Sequence, residues 1–384
     1  MNESSVMTLA FDAKRAAQNR TGLGNYSRFV LEGLCTSFPD RTYQLYVPSR
    51  EKARLLGSLE GKNCVELDFP EGSVWQKFPS LWRVFGMSRQ IARRVPQLFH
   101  GLSNELPVGI ERIPGLRTVV TLHDLIFMRY PEFYPRIDRK IYEYKFRSAC
   151  RRADCVVAVS ECTKRDLISF FGVEEEKIQV LYQGCDEQFR QLASSAQKYE
   201  VRSKYRLPER FLLYVGSIES RKNLLRLVEA LAGMRYNLPL VAVGKRTSYA
   251  DKVLYRAREL GVANRLLMLH NVAFSDLPAL YQMAEVFLYP SYFEGFGIPI
   301  LEALCSRTPV VAATGSCLEE AGGPHSIYVS PSEAREWSVA IDQVLNYAPL
   351  RKEMTERGFE YAARFRSEHL ARQMMTLYEN ICNK

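Results

Sequence analysis

The sequence predicts an α/β fold of two domains, each built on a doubly wound parallel sheet. Three observations lead to this prediction. The chain has 384 residues, which is more than one hydrophobic core usually serves. Short apolar runs alternate with stretches in which apolar residues recur at helical spacing, as in parallel strands joined by helices. A polar stretch that ends at Glu209 separates two such series.

Each series contains six runs of about four apolar or β-branched residues, which we interpret as strands. The first six are Thr8–Phe11, Tyr43–Val47, Gln97–His100, Thr118–Leu122, Cys155–Val159 and Ile178–Leu181. The other six are Phe211–Val215, Leu240–Val243, Leu266–Leu269, Val286–Tyr289, Val310–Ala312 and Ile327–Val329.

Helices are predicted between these strands because the intervening segments have amphipathic spacing. In the first series they are Asn25–Cys35, Leu81–Arg94, Ile137–Arg151 and Glu161–Phe171. In the second they are Leu224–Met234, Ala250–Leu260, Asp276–Ala284 and Pro299–Cys305, followed by two long helices, Ser332–Asn346 and Leu350–Asn380. The predicted domains are residues 1–190 and 210–360, with a linker at 191–209 and a C-terminal helix at 361–384 that packs back toward the first domain.

Composition restricts the class of protein. Apolar residues make up 47% and charged residues 25%, as in a folded globular protein, and the net charge of +9 suits an anionic partner. No nucleic-acid-binding motif accompanies that charge, so nucleic acid is not expected as a partner. The N-terminus has no signal-peptide pattern and no run reaches the ~18 apolar residues of a spanning helix, so a cytoplasmic, soluble or peripheral protein is predicted. Nine cysteines without a C-x-x-C pair indicate reduced thiols rather than a zinc site.

The most specific motif follows the predicted strand Val286–Tyr289 and opens a helix. It reads Ser291-Tyr-Phe-Glu-Gly-Phe-Gly-Ile-Pro-Ile-Leu-Glu302, with Glu294 in the loop and Glu302 one turn into the helix. Its glycines allow a ligand to approach the backbone, and the N–H groups of a helix N-terminus attract an anion. Carboxylates eight residues apart can line one pocket and accept sugar hydroxyls. The alternative is a capped helix with two exposed glutamates.

A second motif lies where the strand Phe211–Val215 ends. Gly216 is followed by Ser217 and, further on, by the adjacent cations Arg221 and Lys222. Glycine permits close approach, arginine grips a phosphate with two N–H groups, and lysine supplies a point charge. The motif therefore predicts a diphosphate clamp, and the alternative is a solvated loop.

Two weaker signals lie in the first series. The loop containing Gly22, Leu23 and Gly24 precedes a helix and could bring backbone amides to a phosphate, although it lacks the third glycine of a dinucleotide-binding fingerprint. His123 follows the strand Thr118–Leu122 and could donate to a sugar hydroxyl or satisfy a turn. With two lobes, the cleft between them is the expected position of the ligand.

Across nearly its whole length the chain resembles glycosyltransferase family 4, the retaining enzymes with the GT-B fold. The resemblance rests on the Glu294…Glu302 pair, which matches the family's E-x7-E motif, and on the segments Val159–Val173 and Tyr182–Asp186. It implies that Glu294 contacts the transferred sugar, that Glu302 contacts the nucleotide ribose and that Arg221 and Lys222 neutralise the diphosphate. It further implies ligand contacts for the following residues: Gly22, Leu23, Gly24, His123, Gly216, Asn271, Val272, Phe296, Gly297 and Ile298.

The same residues suggest a mechanism. Arg221, Lys222 and a helix dipole can stabilise a departing diphosphate without a metal, and the sequence contains no D-x-D motif. Because the resemblance assigns Glu302 to the ribose, no covalent nucleophile is evident, and front-face retaining transfer is favoured. Two departures from the family, Ser217 and His270, motivate the alternative of a catalytically silent sugar-nucleotide-binding protein.

The predicted donor is a sugar nucleotide, with GDP-mannose favoured because residues 123–134 resemble mannosyltransferases; a UDP-hexose or dTDP-sugar remains open. No other cofactor is expected. The segment Trp75–Val95 is basic and aromatic, and the helix after Arg136 adds further cations, which fits either an anionic membrane face or an ordinary helix with a solvated basic side. A saccharide or lipid-linked saccharide of cell-envelope polysaccharide, such as lipopolysaccharide, is the expected acceptor.

Overall fold

A computed structural model describes residues 7–383, and the chain forms two compact units. The first extends to Gly184 and takes in the final helix from Ser367, and the second runs from Cys185 to Arg366. Residues 1–6, which begin the segment predicted to hold no signal peptide, and residue 384 lie outside the described residues.

The first unit is built on seven parallel strands in the order β3-β2-β1-β4-β5-β6-β7. Its central strands are buried on both faces because helices cover the sheet on both sides. The strands are β1 (Thr8–Asp12), β2 (Thr42–Tyr46), β3 (Val65–Asp68), β4 (Leu98–Gly101), β5 (Arg117–Leu122), β6 (Cys155–Ala158) and β7 (Ile178–Val180). The six predicted strands are confirmed. Edge strand β3 was not predicted, since its sequence Val-Glu-Leu-Asp is half polar and only partly buried.

The helices of this unit up to Gly184 are α1 (Lys14–Gln18), α2 (Gly22–Ser37), α3 (Ser73–Lys77), α4 (Pro79–Leu81), α5 (Met87–Arg94), α6 (Ile126–Arg129), α7 (Arg136–Arg152) and α8 (Glu161–Phe171). The predicted helix Leu81–Arg94 is confirmed as a continuous helical segment, but it is not regular throughout. A turn of π-helix, Trp82–Gly86, separates α4 from α5. It turns Trp82 into the core, where the indole N–H donates to Gln90 at 3.1 Å.

The second unit repeats the architecture with six parallel strands in the order β10-β9-β8-β11-β12-β13. They are β8 (Leu212–Val215), β9 (Leu240–Val243), β10 (Leu266–Leu269), β11 (Val286–Tyr289), β12 (Val310–Ala313) and β13 (Ile327–Val329). Its helices are α9 (Ser195–Tyr205), α10 (Leu224–Gly233), α11 (Tyr249–Glu259), α12 (Leu277–Met283), α13 (Ile298–Cys305), α14 (Leu318–Gly322), α15 (Ala334–Asn346) and α16 (Ala348–Ala362). All six predicted strands of the second series are confirmed.

The segment assigned to a linker, residues 191–209, contains helix α9 and lies within the second unit. Ser194 and Gln197 form a capping box at its N-terminus, and the helix packs against α12. The polarity that suggests a linker belongs to a surface helix with only one buried residue, Val201.

The predicted helix Leu350–Asn380 is also wrong as one element. Helix α16 ends at Ala362, and after a short 3₁₀ turn Arg366 adopts an extended conformation with ψ 142°. A new helix, α17 (Ser367–Cys382), then joins the first unit and packs along α2. Gly33 permits this contact, because a Cβ there would lie 2.7 Å from the Ser367 hydroxyl.

None of the helices within residues 7–383 is long and apolar enough to cross a membrane.

Candidate functional site

The loop between β11 and α13 carries Glu294 at the carboxyl edge of the second sheet, where ligands of such sheets bind. Gly297 adopts φ 118°, a value that favours glycine, and α13 begins at the next residue. The Cys317 thiol donates to the carbonyl oxygens of Glu294 and Phe296 at 3.0 and 3.1 Å. A residue outside the loop, Cys317, therefore holds the loop in one conformation.

The two predicted cations lie in the loop after β8, the strand beside β11 in the sheet. They occupy a 3₁₀ turn that ends at Asn223, whose amide donates to the carbonyl oxygens of Pro290 and Pro331 at 3.1 and 2.8 Å. The backbone N–H of Tyr292 donates to the carbonyl of Arg221 at 3.0 Å. These bonds tie the two loops together, so the cations and Glu294 meet.

Glu294 forms ion pairs with both cations. Its carboxylate oxygens lie 3.2 Å from Arg221 Nη1 and 2.5 Å from Lys222 Nζ, and the Ser291 hydroxyl donates to it at 2.5 Å. Lys222 also donates to the Tyr289 hydroxyl at 2.9 Å. The three ionic side chains are only 12–17% exposed. Water therefore screens their interaction poorly.

The charges around Glu294 decide its ionisation. Burial by itself would raise the pKa of Glu294, but the positive charges of Lys222 and Arg221 outweigh burial and lower the pKa to about 2. Burial lowers the pKa of Lys222, and Glu294 opposes that effect. The carboxylate is thus fully ionised at neutral pH and is a weak base.

Glu302 lies in a different environment although it is only eight residues away. It is buried on α13, and its carboxylate accepts a hydrogen bond from the Tyr281 hydroxyl at 2.8 Å. Burial raises the pKa of Glu302 to about 7; the Tyr281 hydrogen bond opposes this rise and the charge of Asp186 adds to it. Near neutral pH this side chain therefore exists in both protonation states.

Three further predicted residues belong to the same edge of the sheet. Gly216 follows β8, and Asn271 and Val272 follow the edge strand β10. Asn271 has a left-handed backbone with φ 61° and is exposed. The structure joins neither Asn271 nor Val272 to the Glu294 cluster, because β9 separates β10 from β8 in the sheet.

Comparisons with known proteins match both units. The sequence model of Glycosyltransferase Family 4 covers residues 30–189, and that of Glycosyl transferases group 1 covers residues 196–361. O-antigen chain mannosyltransferase B of Escherichia coli is 31% identical over 290 residues, which are 73% of this chain and 74% of that protein. The chain belongs to glycosyltransferase family 4.

A second sequence relative and a solved structure of the same fold also match the chain. O-antigen chain mannosyltransferase RfbU of Salmonella typhimurium strain LT2 is 29% identical over 69% of this chain and 71% of its own length. The crystal structure of a glycosyltransferase from Rickettsia africae ESF-5 superposes with a TM-score of 0.76 at 17% identity and covers 98% of this chain and 99% of that one. With the two parallel-sheet units, these matches confirm the predicted GT-B fold.

In this family 4 glycosyltransferase, His123 and the glycines at 22 and 24 belong to the first unit. His123 is buried, and its Nε2–H donates to the carbonyl of Leu102 at 2.9 Å. Burial lowers the pKa of His123 to about 4, so the ring is neutral and has only one proton to donate. Because the Nε2–H group donates to the Leu102 carbonyl, the unprotonated Nδ1 can only accept a hydrogen bond.

The predicted loop at Gly22, Leu23 and Gly24 is wrong as a loop, because these residues form the first turn of α2. Gly24 is required by packing, since a Cβ there would lie 1.8 Å from the carbonyl oxygen of Asn19. Gly22 and Leu23 are at least partly accessible at the helix N-terminus.

Sequence reasoning missed the residues that position the predicted site. The side chains that donate to the two glutamates are Tyr281, Tyr289, Ser291 and Cys317, and Asn223 orders the cation loop. Gly244 was also missed: a Cβ there would lie 1.8 Å from the Gly216 carbonyl oxygen. The only available signal was position at a strand's carboxyl end, which Gly244 shares with Gly216.

Proposed function

We propose that this chain transfers a hexose, with mannose as first choice, from a nucleoside-diphosphate sugar to a saccharide or lipid-linked saccharide acceptor in cell-envelope polysaccharide synthesis. GDP-mannose is the favoured donor. The observation that carries the proposal is the contact of Glu294 with Arg221 and Lys222 beside the start of α13. Mannosyl transfer is also what the names of the two Escherichia and Salmonella relatives state.

The cluster suits a bound diphosphate sugar. Without a carboxylate between them, two adjacent cations at 13–17% exposure would repel each other, so Glu294 holds them in place before a ligand arrives. A diphosphate can then share these cations with Glu294, and its negative charge is further favoured by the N–H groups at the start of α13. This stabilises the leaving group as the sugar–phosphate bond breaks, and we propose that no metal is needed.

The low pKa of Glu294 supports a retaining, front-face transfer. A carboxylate with a pKa of about 2 is a poor proton acceptor at neutral pH, but it still accepts hydrogen bonds from hydroxyl groups, as it does from Ser291. We therefore assign Glu294 to holding sugar hydroxyls rather than to taking the proton of the acceptor. The departing phosphate oxygen takes that proton, and Glu302 binds the ribose.

We also propose a cytoplasmic protein that touches the membrane through Trp75–Val95. Phe78, Leu81 and Phe85 of this segment are each at least half exposed. The basic side is smaller than the sequence indicates, because Arg83 is buried against Asp12 and Glu105.

Thermal unfolding against GDP-, UDP- and dTDP-sugars tests the donor. GDP-mannose at 100 times its dissociation constant is expected to stabilise the protein by about 2.7 kcal/mol. Arg221→Ala and Lys222→Ala should remove the shift, whereas Arg256→Ala, which removes a surface cation of the same unit, should preserve it. Mass spectrometry then follows release of free or transferred mannose. A ligand-induced shift without any product would identify the silent binding protein instead, and no shift with any donor would refute the proposal.

A further inference from the structure

The first unit contains a groove of about 450 Å³, within the size range of small-molecule sites. Three elements line it: the segment around Val84 and Phe85, the loop after β4 and one side of helix α7. We call it the α7 groove. Its apolar lining residues are Val84, Phe85, Leu106, Val108, Ile141 and Tyr144.

The walls of the α7 groove are fixed by hydrogen bonds. The Val108 N–H donates to the Val84 carbonyl at 2.8 Å, and the Ser88 hydroxyl donates to the Val108 carbonyl at the same distance. From the other side, Arg152 donates to the carbonyls of Leu106 and Pro107 at 3.0 and 2.7 Å. The loop is therefore held between the π-turn region and α7, and the groove exists before any ligand binds.

Large apolar side chains are exposed at this groove. Phe85, Val108, Ile141 and Tyr144 are 54%, 51%, 45% and 74% exposed. Apolar surface gathered in this way is characteristic of a binding surface, because leaving it in water is unfavourable. The apolar lining suits a hydrocarbon chain.

The charged side chains of the α7 groove are mainly basic. Lys140, Lys145 and Arg152 line it with a single acid, Glu105. Glu105 is paired with Arg83 at 2.5 Å and with Lys145 at 3.1 Å, and Arg152 is paired with Glu111, next to the groove, at 3.2 Å. The local charge is positive, so an apolar ligand with an anionic head is favoured over a neutral or cationic one.

We propose that the α7 groove binds the hydrocarbon chain of a single-chain lipid phosphate, with the phosphate near Lys140 and Lys145. The inference rests on the proposed function and deepens it, because such a lipid would anchor the lipid-linked acceptor. Apolar contact supplies affinity along the chain, and the two lysines select the headgroup.

Calorimetric titration of the full chain with n-alkyl phosphates, below their micelle concentrations, tests this. Octyl, decyl and dodecyl phosphate should bind with affinity rising roughly tenfold per two methylenes. Dodecyl maltoside and dodecyltrimethylammonium should bind more weakly than dodecyl phosphate. Lys140→Ala should weaken the binding of dodecyl phosphate by roughly threefold and leave the affinity for dodecyl maltoside unchanged.

Two isoleucines on one helix give a matched pair of variants. Ile141 lines the groove, whereas Ile137, one turn earlier on α7, is 73% exposed and does not. Ile141→Asp should weaken the binding of dodecyl phosphate by at least about tenfold, and Ile137→Asp should leave that affinity unchanged. If the Ile141→Asp variant does not fold, Ile141→Ala replaces it in the test, with a smaller expected loss of affinity for dodecyl phosphate.

Several results would overturn the proposal: no binding to the unaltered protein, equal binding by the Ile141 variants, or preference for the cationic amphiphile. Loss of binding to phosphatidylglycerol vesicles in Ile141→Asp without any alkyl phosphate binding would instead indicate docking on the bilayer. If sedimentation shows a dimer that Ile141→Asp abolishes, the groove binds a second copy of the chain instead. Turnover of GDP-mannose without acceptor should be equal in all these variants, so failure of the groove leaves the donor proposal standing.

Discussion

Glu294 and Glu302 are eight residues apart in one motif, yet the structure gives them opposite electrostatic environments. Glu294 lies between Arg221 and Lys222, and its pKa falls to about 2. Glu302 is buried on α13 with the Tyr281 hydroxyl as its hydrogen-bond donor, and its pKa rises to about 7. One carboxylate is permanently ionised and the other titrates near neutrality. Their identical side chains are therefore suited to different tasks, and the neighbours decide which.

The largest effect is expected at Glu294. Glu294→Gln should lower turnover with GDP-mannose by roughly 10²–10³-fold, because it removes the charge that holds the two cations in position and an interaction with the transferred sugar. Steady-state kinetics measures this. Glu219→Gln is a matched control. Glu219 pairs with the other guanidinium nitrogen of Arg221, Nη2, at 2.9 Å, and its loss should lower turnover only a few-fold. Equal losses in both variants would contradict the distinct role of Glu294.

A pH series distinguishes the two carboxylates in stability. The folded pKa of Glu302, about 7, lies above its ordinary value of 4.5, so its contribution is complete below pH 4.5 and is lost as pH rises through 7. Glu294, with its lowered pKa, contributes above pH 4.5 and loses that contribution as pH falls toward 2. Urea unfolding measures the free energy of unfolding of both proteins. The value for Glu302→Gln minus the value for wild type should therefore rise by about 3 kcal/mol from pH 4 to pH 8. A flat difference would contradict the raised pKa.

Tyr281→Phe should have a smaller effect. The ring packing is kept, but Glu302 loses its hydrogen bond, at a cost of about 1–3 kcal/mol in the free energy of unfolding. The loss should be larger at pH 8 than at pH 4, because the hydroxyl favours the ionised carboxylate. Urea unfolding at both pH values measures it. In a Glu302→Gln background the pH dependence of the loss should disappear.

The smallest effect is expected at Cys317, which holds the Glu294 loop through two carbonyl oxygens. Cys317→Ala should cost about 1 kcal/mol of stability and raise the KM for GDP-mannose more than it lowers kcat. Cys317→Ser, which keeps a donor, should recover most of both. An unchanged KM in the alanine variant would show that the loop keeps its conformation without the thiol.

The sequence alone was sufficient to predict most strands of both sheets and the motif residues of the candidate site. Twelve strands could be read from apolar runs because parallel strands are buried on both faces, and the Glu294 and Arg221-Lys222 motifs are contiguous in the chain. Edge strand β3 was not predicted because its sequence is half polar. The π-helical turn within the helix Leu81–Arg94 was not predicted either, because one such turn hardly changes the spacing of apolar residues.

Only the tertiary structure decided the environment of each side chain. Residues 221 and 294 are 73 positions apart, and they meet because β8 and β11 are neighbours in the sheet although three strands apart in order. The same holds for Tyr281 beside Glu302 and for the α7 groove, whose three walls come from separate segments. The sequence alone determined which chemical groups are available and on which strands and helices they stand, since those depend on local pattern. The ionisation, pairing and exposure of a side chain depend on packing between segments that are distant in the sequence. A local sequence pattern therefore does not predict them.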